Sequence, residues 1–162
     1  MSLQSVKEFF SIRAPEIEII ETVESSATVQ LAACAHAVEP EQIAKTIGVR
    51  AGETIALIVM AGTARLDNRK FRSHFDAKPR MLGADDVLEL TGHPVGGVCP
   101  FGLARPVPVF CDISLKNYAE VIPAAGAANA AVRISPAHMA KLTDAEWVDV
   151  CQFSAKLSPI SQ

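Results

Sequence analysis

The groups most able to do chemistry fall in one loop and at one isolated lysine. Residues 91–103 (TGHPVGGVCPFGL) hold four glycines and two prolines in 13 positions, which fixes an irregular backbone path and leaves N–H groups able to approach a ligand. Such a loop can cradle an oxyanion, although an ordinary tight connection draws on the same residues. It is not a P-loop, since no Gly-Lys-Ser/Thr follows, and Gly96, Gly97 and Gly102 miss the GxGxxG spacing of a dinucleotide site. Lys45 stands in an apolar context, QIAKTIGV, where a desolvated ammonium could stabilise developing negative charge or clamp a phosphate. A surface lysine laying its stem over apolar neighbours fits the same pattern.

Other reactive residue types offer less. Cys34, Cys111 and Cys151 lie in apolar stretches and read as small buried hydrophobes; with Cys99, their spacing matches neither zinc knuckles nor a disulfide scaffold, so reduced thiols are expected. Cys99 sits inside the glycine-rich loop without an assignable base and is not expected to attack. His36, His74, His93 and His138 show no HxxxH or HxxE spacing, so no metal is indicated. His93 reads first as a surface or capping residue and second as a substrate contact.

Elements must position these groups. With 162 residues, 49% hydrophobic and 20% charged, the chain is the size of one domain, taken as residues 1–152 with a loosely held tail at 153–162. Periodicity predicts helices over 2–12, over the Ala-rich segment from the caps Ser25 and Ser26 through 38, and over 67–75 and 84–91. A last helix starts at the cap Ser135, with Pro136 first, and runs to 142. Pro40 starts a helical turn that carries Ile43, Ala44 and Lys45. Strands are predicted at 17–23, 54–62, 107–113, 121–125, 130–134 and 147–150, with 54–62, apolar throughout, at the sheet's centre. Strands and helices interleave without strict βαβα repetition, which makes the class α+β.

The longest apolar run falls far short of the roughly 20 residues needed to cross a bilayer, and no signal-peptide core is present, so a cytoplasmic protein without a membrane partner is expected. A net charge of −3 argues against DNA binding or general coating of duplexes. The charge is unevenly spread, however. Residues 65–80 carry six Lys or Arg against two Asp, a local +4 that leaves −7 for the rest. Arg69, Lys70 and Arg72 are therefore candidate contacts to tRNA phosphates; a solvated helix with Phe71 and Phe75 turned inward explains the same residues.

Taken in order, Pro40-Glu-Gln-Ile-Ala-Lys-Thr46, the strand ending Met60-Ala-Gly62, the loop Gly96-Gly-Val-Cys-Pro-Phe-Gly102 and the closing Ala125-Gly126 with Arg133-Ile-Ser-Pro136 resemble the YbaK/ProX family, stand-alone relatives of the editing domain of bacterial prolyl-tRNA synthetases. The resemblance implies a mixed, partly barrel-like sheet flanked by helices. It implies an activity that hydrolyses the ester of mischarged aminoacyl-tRNA, mostly proline tRNA, in trans and without a cofactor. It makes Lys45 the residue most tied to activity and maps the family's GxxxP loop onto Gly96 to Pro100, with backbone amides near the aminoacyl carbonyl. Thr46 and Asn129 stand where the alanine-specific branch has Asn and His, so alanine specificity through that His is not implied.

The leading expectation is thus a deacylase with a small pocket for Ala, Ser, Thr or Cys esters. Lys45, Gly96 and Gly97 position and polarise the ester, while Thr28, Thr46, Val98, Cys99, Pro100, Gly102 and Asn129 contact substrate. Its partners would be the acceptor end of aminoacyl-tRNA and prolyl-tRNA synthetase. Since the ester is already activated, positioning under amide donors suffices and no protein nucleophile is needed. The alternative is a non-catalytic module that binds a tRNA end or nucleotide as a synthetase partner.

Overall fold

The structure is a computed structural model, and it describes residues 2–153. In chain order the elements are α1 (Ser2–Arg13), β1 (Ile20–Glu21), α2 (Val29–His36), a 3-10 turn (Pro40–Gln42), β2 (Ile43–Ala51), β3 (Thr54–Ala61) and β4 (Ala64–Leu66). There follow α3 (Asn68–Phe75), β5 (Pro79–Met81), α4 (Ala84–Thr91), β6 (Val109–Asp112), a second 3-10 turn (Ile113–Asn117), β7 (Ile122–Pro123), β8 (Ala130–Ala131), α5 (Pro136–Thr143), β9 (Glu146–Val148) and β10 (Cys151–Phe153).

Among the described residues the main sheet has six strands in the order β5-β2-β3-β6-β9, with β7 also on β2. It mixes antiparallel β2-β3 and β2-β5 pairs with parallel β2-β7, β3-β6 and β6-β9 pairs. The α+β class holds; the sheet is open, ending at β5 and β9. β3 lies inside it, as an apolar run covered on both faces must. Leu57 and Val59 pack one way against α1, α5 and the 96–102 loop, while Ile58 and Met60 pack the other way against Phe71 of α3. Gly52, at φ 63, makes the β2-β3 turn that a side chain would strain.

Several expectations are corrected. Residues 43–45 do not extend a helical turn: the turn closes at Gln42, and eight cross-strand pairs with β3 hold residues 44–51, placing Lys45 in a strand. The strand at 17–23 shrinks to Ile20–Glu21 because β8 offers only Ala130 and Ala131 opposite it. α2 is capped by Thr28, whose Oγ1 accepts the Leu31 N–H at 3.1 Å, rather than by Ser25 or Ser26. The strand expected at 147–150 is β9, Glu146–Val148, on β6, and it stops short of a separate strand, β10, which pairs with β4 in another sheet. Cys34 is exposed on α2 instead of buried. Apart from Phe153, which closes β10, the tail lies outside the described residues. No helix among the described residues is long and apolar enough to cross a membrane.

Candidate functional site

β2 has neighbours along only part of its outer edge. β7 pairs with it at Ile43 and Ala44, and β5 at Val49 through Ala51. Between them the Gly48 carbonyl accepts the Leu82 N–H at 3.0 Å. A bare strand edge turns its N–H and C=O groups toward whatever fills the gap. Here that is a cavity of about 420 Å³, bordered by every residue from 43 to 48. Successive side chains leave a strand on opposite faces, so a cavity touching six in a row lies against the edge. Thr28, Val29 and Ala32 of the α2 segment form one wall, Leu82, Ala84 and Val87 another, and Ile122, Ala124 and Ala131 a third. α4 approaches closely because Gly48 has no side chain: a Cβ there would lie 3.1 Å from Val87 Cγ2 and 3.2 Å from Leu82 Cδ1.

The glycine-rich loop supplies the remaining wall. The Gly97 N–H donates to the Pro94 carbonyl at 2.9 Å, closing a turn whose third residue, Gly96, has φ 89. The Gly97 carbonyl in turn accepts the Gly126 N–H at 3.0 Å, and a Cβ on Gly97 would sit 2.6 Å from Ala127 N. Pinned this way, the chain alternates: Gly96 and Val98 border the cavity, whereas Gly97 and Cys99 are buried behind it. The N–H groups of Gly96 and Val98 have no acceptor among the described residues. That of Gly97 is taken by the Pro94 carbonyl, and Gly97 is not among the residues that border the cavity.

Lys45 opposes Met60 across β2-β3 and shares its face, while Thr46 shares the other face with Val59. Lys45 is half-buried, borders the cavity, and has no hydrogen bond or ion pair to its ammonium among the described residues. Burial pulls its pKa down; the Cys151 thiol, 3.7 Å from Met60 Sδ, draws it back up, and the Arg65 cation pushes it down. A partly desolvated cation without a counter-ion suits an anion. Thr46 Oγ1 is likewise buried without a partner.

The other expected contacts lie elsewhere. Cys99 is fully buried, its pKa pushed up to about 12 by that burial, with Sγ 3.8 Å from the Phe101 carbonyl. Pro100 and Gly102 border a separate groove between α1 and α5. Asn129 is locked to Thr22: its Nδ2 donates to the Thr22 carbonyl at 2.9 Å and its carbonyl accepts the Thr22 N–H at 2.8 Å. Each is off the cavity because its backbone or side chain is already committed to packing. In α3, Lys70 is bound to Asp149 and to the Cys151 carbonyl, while Arg69 and Arg72 border a shallow surface hollow. His93, read as a surface residue, is 1% exposed and borders the cavity. Among the described residues no three His, Cys, Asp or Glu gather as a metal would need.

Sequence reasoning missed Arg50 and Arg80. They are directly opposed across β2-β5, on the face of Thr46 and Gly48 and beside the cavity-lining Met81, and no carboxylate among the described residues pairs with either. Like charges placed opposite each other are destabilising, and an anion bound between them would relieve that. Nothing local in the sequence announces the pair, because it exists only through the register of a three-residue strand.

Comparison with known proteins follows the same line. The aminoacyl-tRNA editing domain profile matches residues 23–142. The uncharacterized protein YwhH of Bacillus subtilis is 44% identical over 154 residues, covering 94% of this chain and 98% of that one. A proline–tRNA ligase of Kosmotoga olearia is 32% identical over 101 residues, 62% of this chain but only 17% of the ligase. A crystal structure of a candidate trans-editing enzyme for prolyl tRNA synthetase superposes with a TM-score of 0.85 at 30% identity, over 93% of this chain and 97% of that one. With the profile covering most of its length and its fold matched end to end, the chain belongs to the aminoacyl-tRNA editing domain family.

Proposed function

We propose that this protein is a trans-acting aminoacyl-tRNA deacylase of the cytoplasm, in which residues 1–152 act as one domain on proline tRNA carrying Ala, Ser, Thr or Cys. The observation that carries the reading is a single cavity, about 420 Å³, bordered both by an ammonium without a counter-ion, Lys45, and by the loop residues Gly96 and Val98 with free N–H groups. Hydrolysis adds one water across the ester: the carbonyl carbon gains an oxygen, its bond to the ribose oxygen breaks, and the ribose oxygen takes up a proton. The oxyanion formed on the way needs donors preorganised in a water-poor site. Gly96 and Val98 amides are suited to that role, and Lys45 to the ester oxygen or the terminal phosphate. Cys99, buried with a raised pKa, is not a nucleophile.

Selectivity follows from size. Rigid walls made by Ala32, Ala124, Ala131 and Ile122 exclude a large side chain by overlap, while Thr28 and Thr46 offer hydroxyls to a small polar one. The opposed Arg50 and Arg80 hold the acceptor end beside the cavity, with Arg69 and Arg72 further along the RNA, and prolyl-tRNA synthetase is the protein partner from which mischarged tRNA arrives. The test is turnover on a panel of proline tRNAs esterified with Ala, Ser, Thr, Cys or Pro, using wild type and Lys45→Ala. Release of a small amino acid that disappears in the variant supports the reading. Binding without release on every ester replaces it with the tRNA-end-binding module.

A further inference from the structure

At the entry to the glycine-rich loop, His93 borders the cavity and makes contacts to which ester hydrolysis assigns no role. Its Nε2 lies 2.7 Å from the Phe101 carbonyl oxygen and its Nδ1 2.6 Å from Ser2 Oγ. A carbonyl can only accept, so Nε2 carries the proton and Nδ1 accepts from the Ser2 hydroxyl. The backbone N–H of His93 donates to Thr91 Oγ1 at 3.0 Å, and the Thr91 hydroxyl donates to the Val87 carbonyl at 2.7 Å. One residue therefore ties together α4, the start of α1 and both ends of the loop, since 93 precedes the Gly96 turn and 101 follows Pro100.

The knot extends to the segment that pins Gly97. Gly126, whose N–H holds the Gly97 carbonyl, has φ 94 and leaves no room for a side chain, because a Cβ would meet the Ser2 carbonyl oxygen at 2.8 Å. Ser2, Phe101, Gly97 and Gly126 thus form, with His93 at the cavity's border, a brace that holds the loop in place. Removing the imidazole leaves the buried Phe101 carbonyl with only the weak Cys99 thiol donor at 3.8 Å, and a poorly satisfied buried acceptor drives the backbone to move.

We propose that His93 is a positioning residue: its neutral ring, held by Ser2, keeps the 93–101 segment in the one path that turns Gly96 and Val98 to the cavity. The kinetic consequence rests on the deacylase reading, whereas the structural consequence does not, and two measurements separate them. The variants are His93→Phe, which keeps a ring but no donor, His93→Gln, whose amide can still donate to Phe101, and Ser2→Ala. Hydrogen exchange at the Gly96 to Gly102 amides is read by mass spectrometry, and single-turnover deacylation of the mischarged tRNA that wild type accepts best is read alongside it.

His93→Phe is expected to speed loop exchange at least 10-fold and, since misplacement by about 1 Å can cost about 10²-fold in rate, to lower the saturating single-turnover rate 10- to 100-fold with the half-saturating enzyme concentration within about twofold. His93→Gln is expected to recover most of both, and Ser2→Ala to lose about threefold. Should His93→Phe not fold, Ser2→Ala against wild type carries the same expectation at smaller amplitude. Unchanged loop exchange in His93→Phe, or in Ser2→Ala where that stands in, overturns the proposal. So does a loss in which His93→Gln matches His93→Phe, for that is packing and not a hydrogen bond. Faster loop exchange alongside a wild type that turns over no ester leaves the brace established and overturns the deacylase reading alone.

Discussion

The two faces of the β2-β3 pair are built from one hairpin and end in opposite states. On one, Val49, Ile58 and Met60 pack with Phe71, Val148 and Val150 in a single buried cluster. On the other, Leu57 and Val59 are covered by Cys99 and Phe101, while Thr46 and Gly48 beside them border the cavity, with α4 packed close at Gly48. The difference lies in the cover. α3 turns Phe71 and Phe75 onto the first face, whereas a loop pinned at Gly97 and α4, packed close at Gly48, leave the cavity between them. The closed face stabilises the protein, and the other leaves a site. Lys45 stands where the two meet, its stem on the face of Met60 and its residue at the cavity's edge.

Substitutions across that divide should separate stability from activity. The largest contrast pairs Lys45→Ala with Phe71→Ala. The first should lower deacylation by about 10²-fold or more with little change in Tm; the second, emptying a fully buried ring site, should cost about 3–5 kcal/mol of stability while the folded fraction stays active. Urea melts and single-turnover assays on both variants read this, and an inactive folded Phe71→Ala would break the division. Next, Gly97→Ala should cost about 1–3 kcal/mol, since its Cβ meets backbone and not a movable side chain. Its turnover should fall more than its Tm alone explains.

Basic residues test the same divide more gently. Arg50→Ala with Arg80→Ala should reduce the salt dependence of tRNA binding by about 1 per arginine in a plot of log K against log salt. Arg69→Ala with Arg72→Ala, on the helix that covers the closed face, should reduce it less. The reverse order would carry the RNA across α3. The smallest effect is on acid stability. Burial holds His93 and His36 below the ordinary imidazole value of 6.5, with Arg133 adding to the effect at His36. The unfolded chain therefore binds protons near pH 6.5 that the folded one does not, so this stability is complete above 6.5 and is lost as pH falls through the lower folded values. Melts between pH 7.5 and 5 should show the decline, and His93→Gln should flatten part of it.

Much of this was legible in the residues themselves. The apolar run at 54–62 announced a central strand, Asp67 and Ser135 announced the starts of α3 and α5, and the order of the Lys45, Gly96 to Pro100 and Ala125-Gly126 motifs pointed to the editing family. Each signal is local: a period, a cap, a run, a spacing. Lys45 was misread as part of a helical turn because Pro40 is a local start signal, and the eight pairs that overrule it come from β3.

By itself, then, the sequence determined the helices and the central strand at 54–62, the family, and the two groups to suspect. Only the tertiary structure decided that Gly97 faces away while Gly96 and Val98 face in, that His93 is a buried brace, that Asn129 is held by Thr22, and that Arg50 opposes Arg80. Those facts depend on register and on which chain packs behind which. Contacts between residues far apart in sequence are set by the sum of many weak packing choices, and no single stretch of residues records that sum.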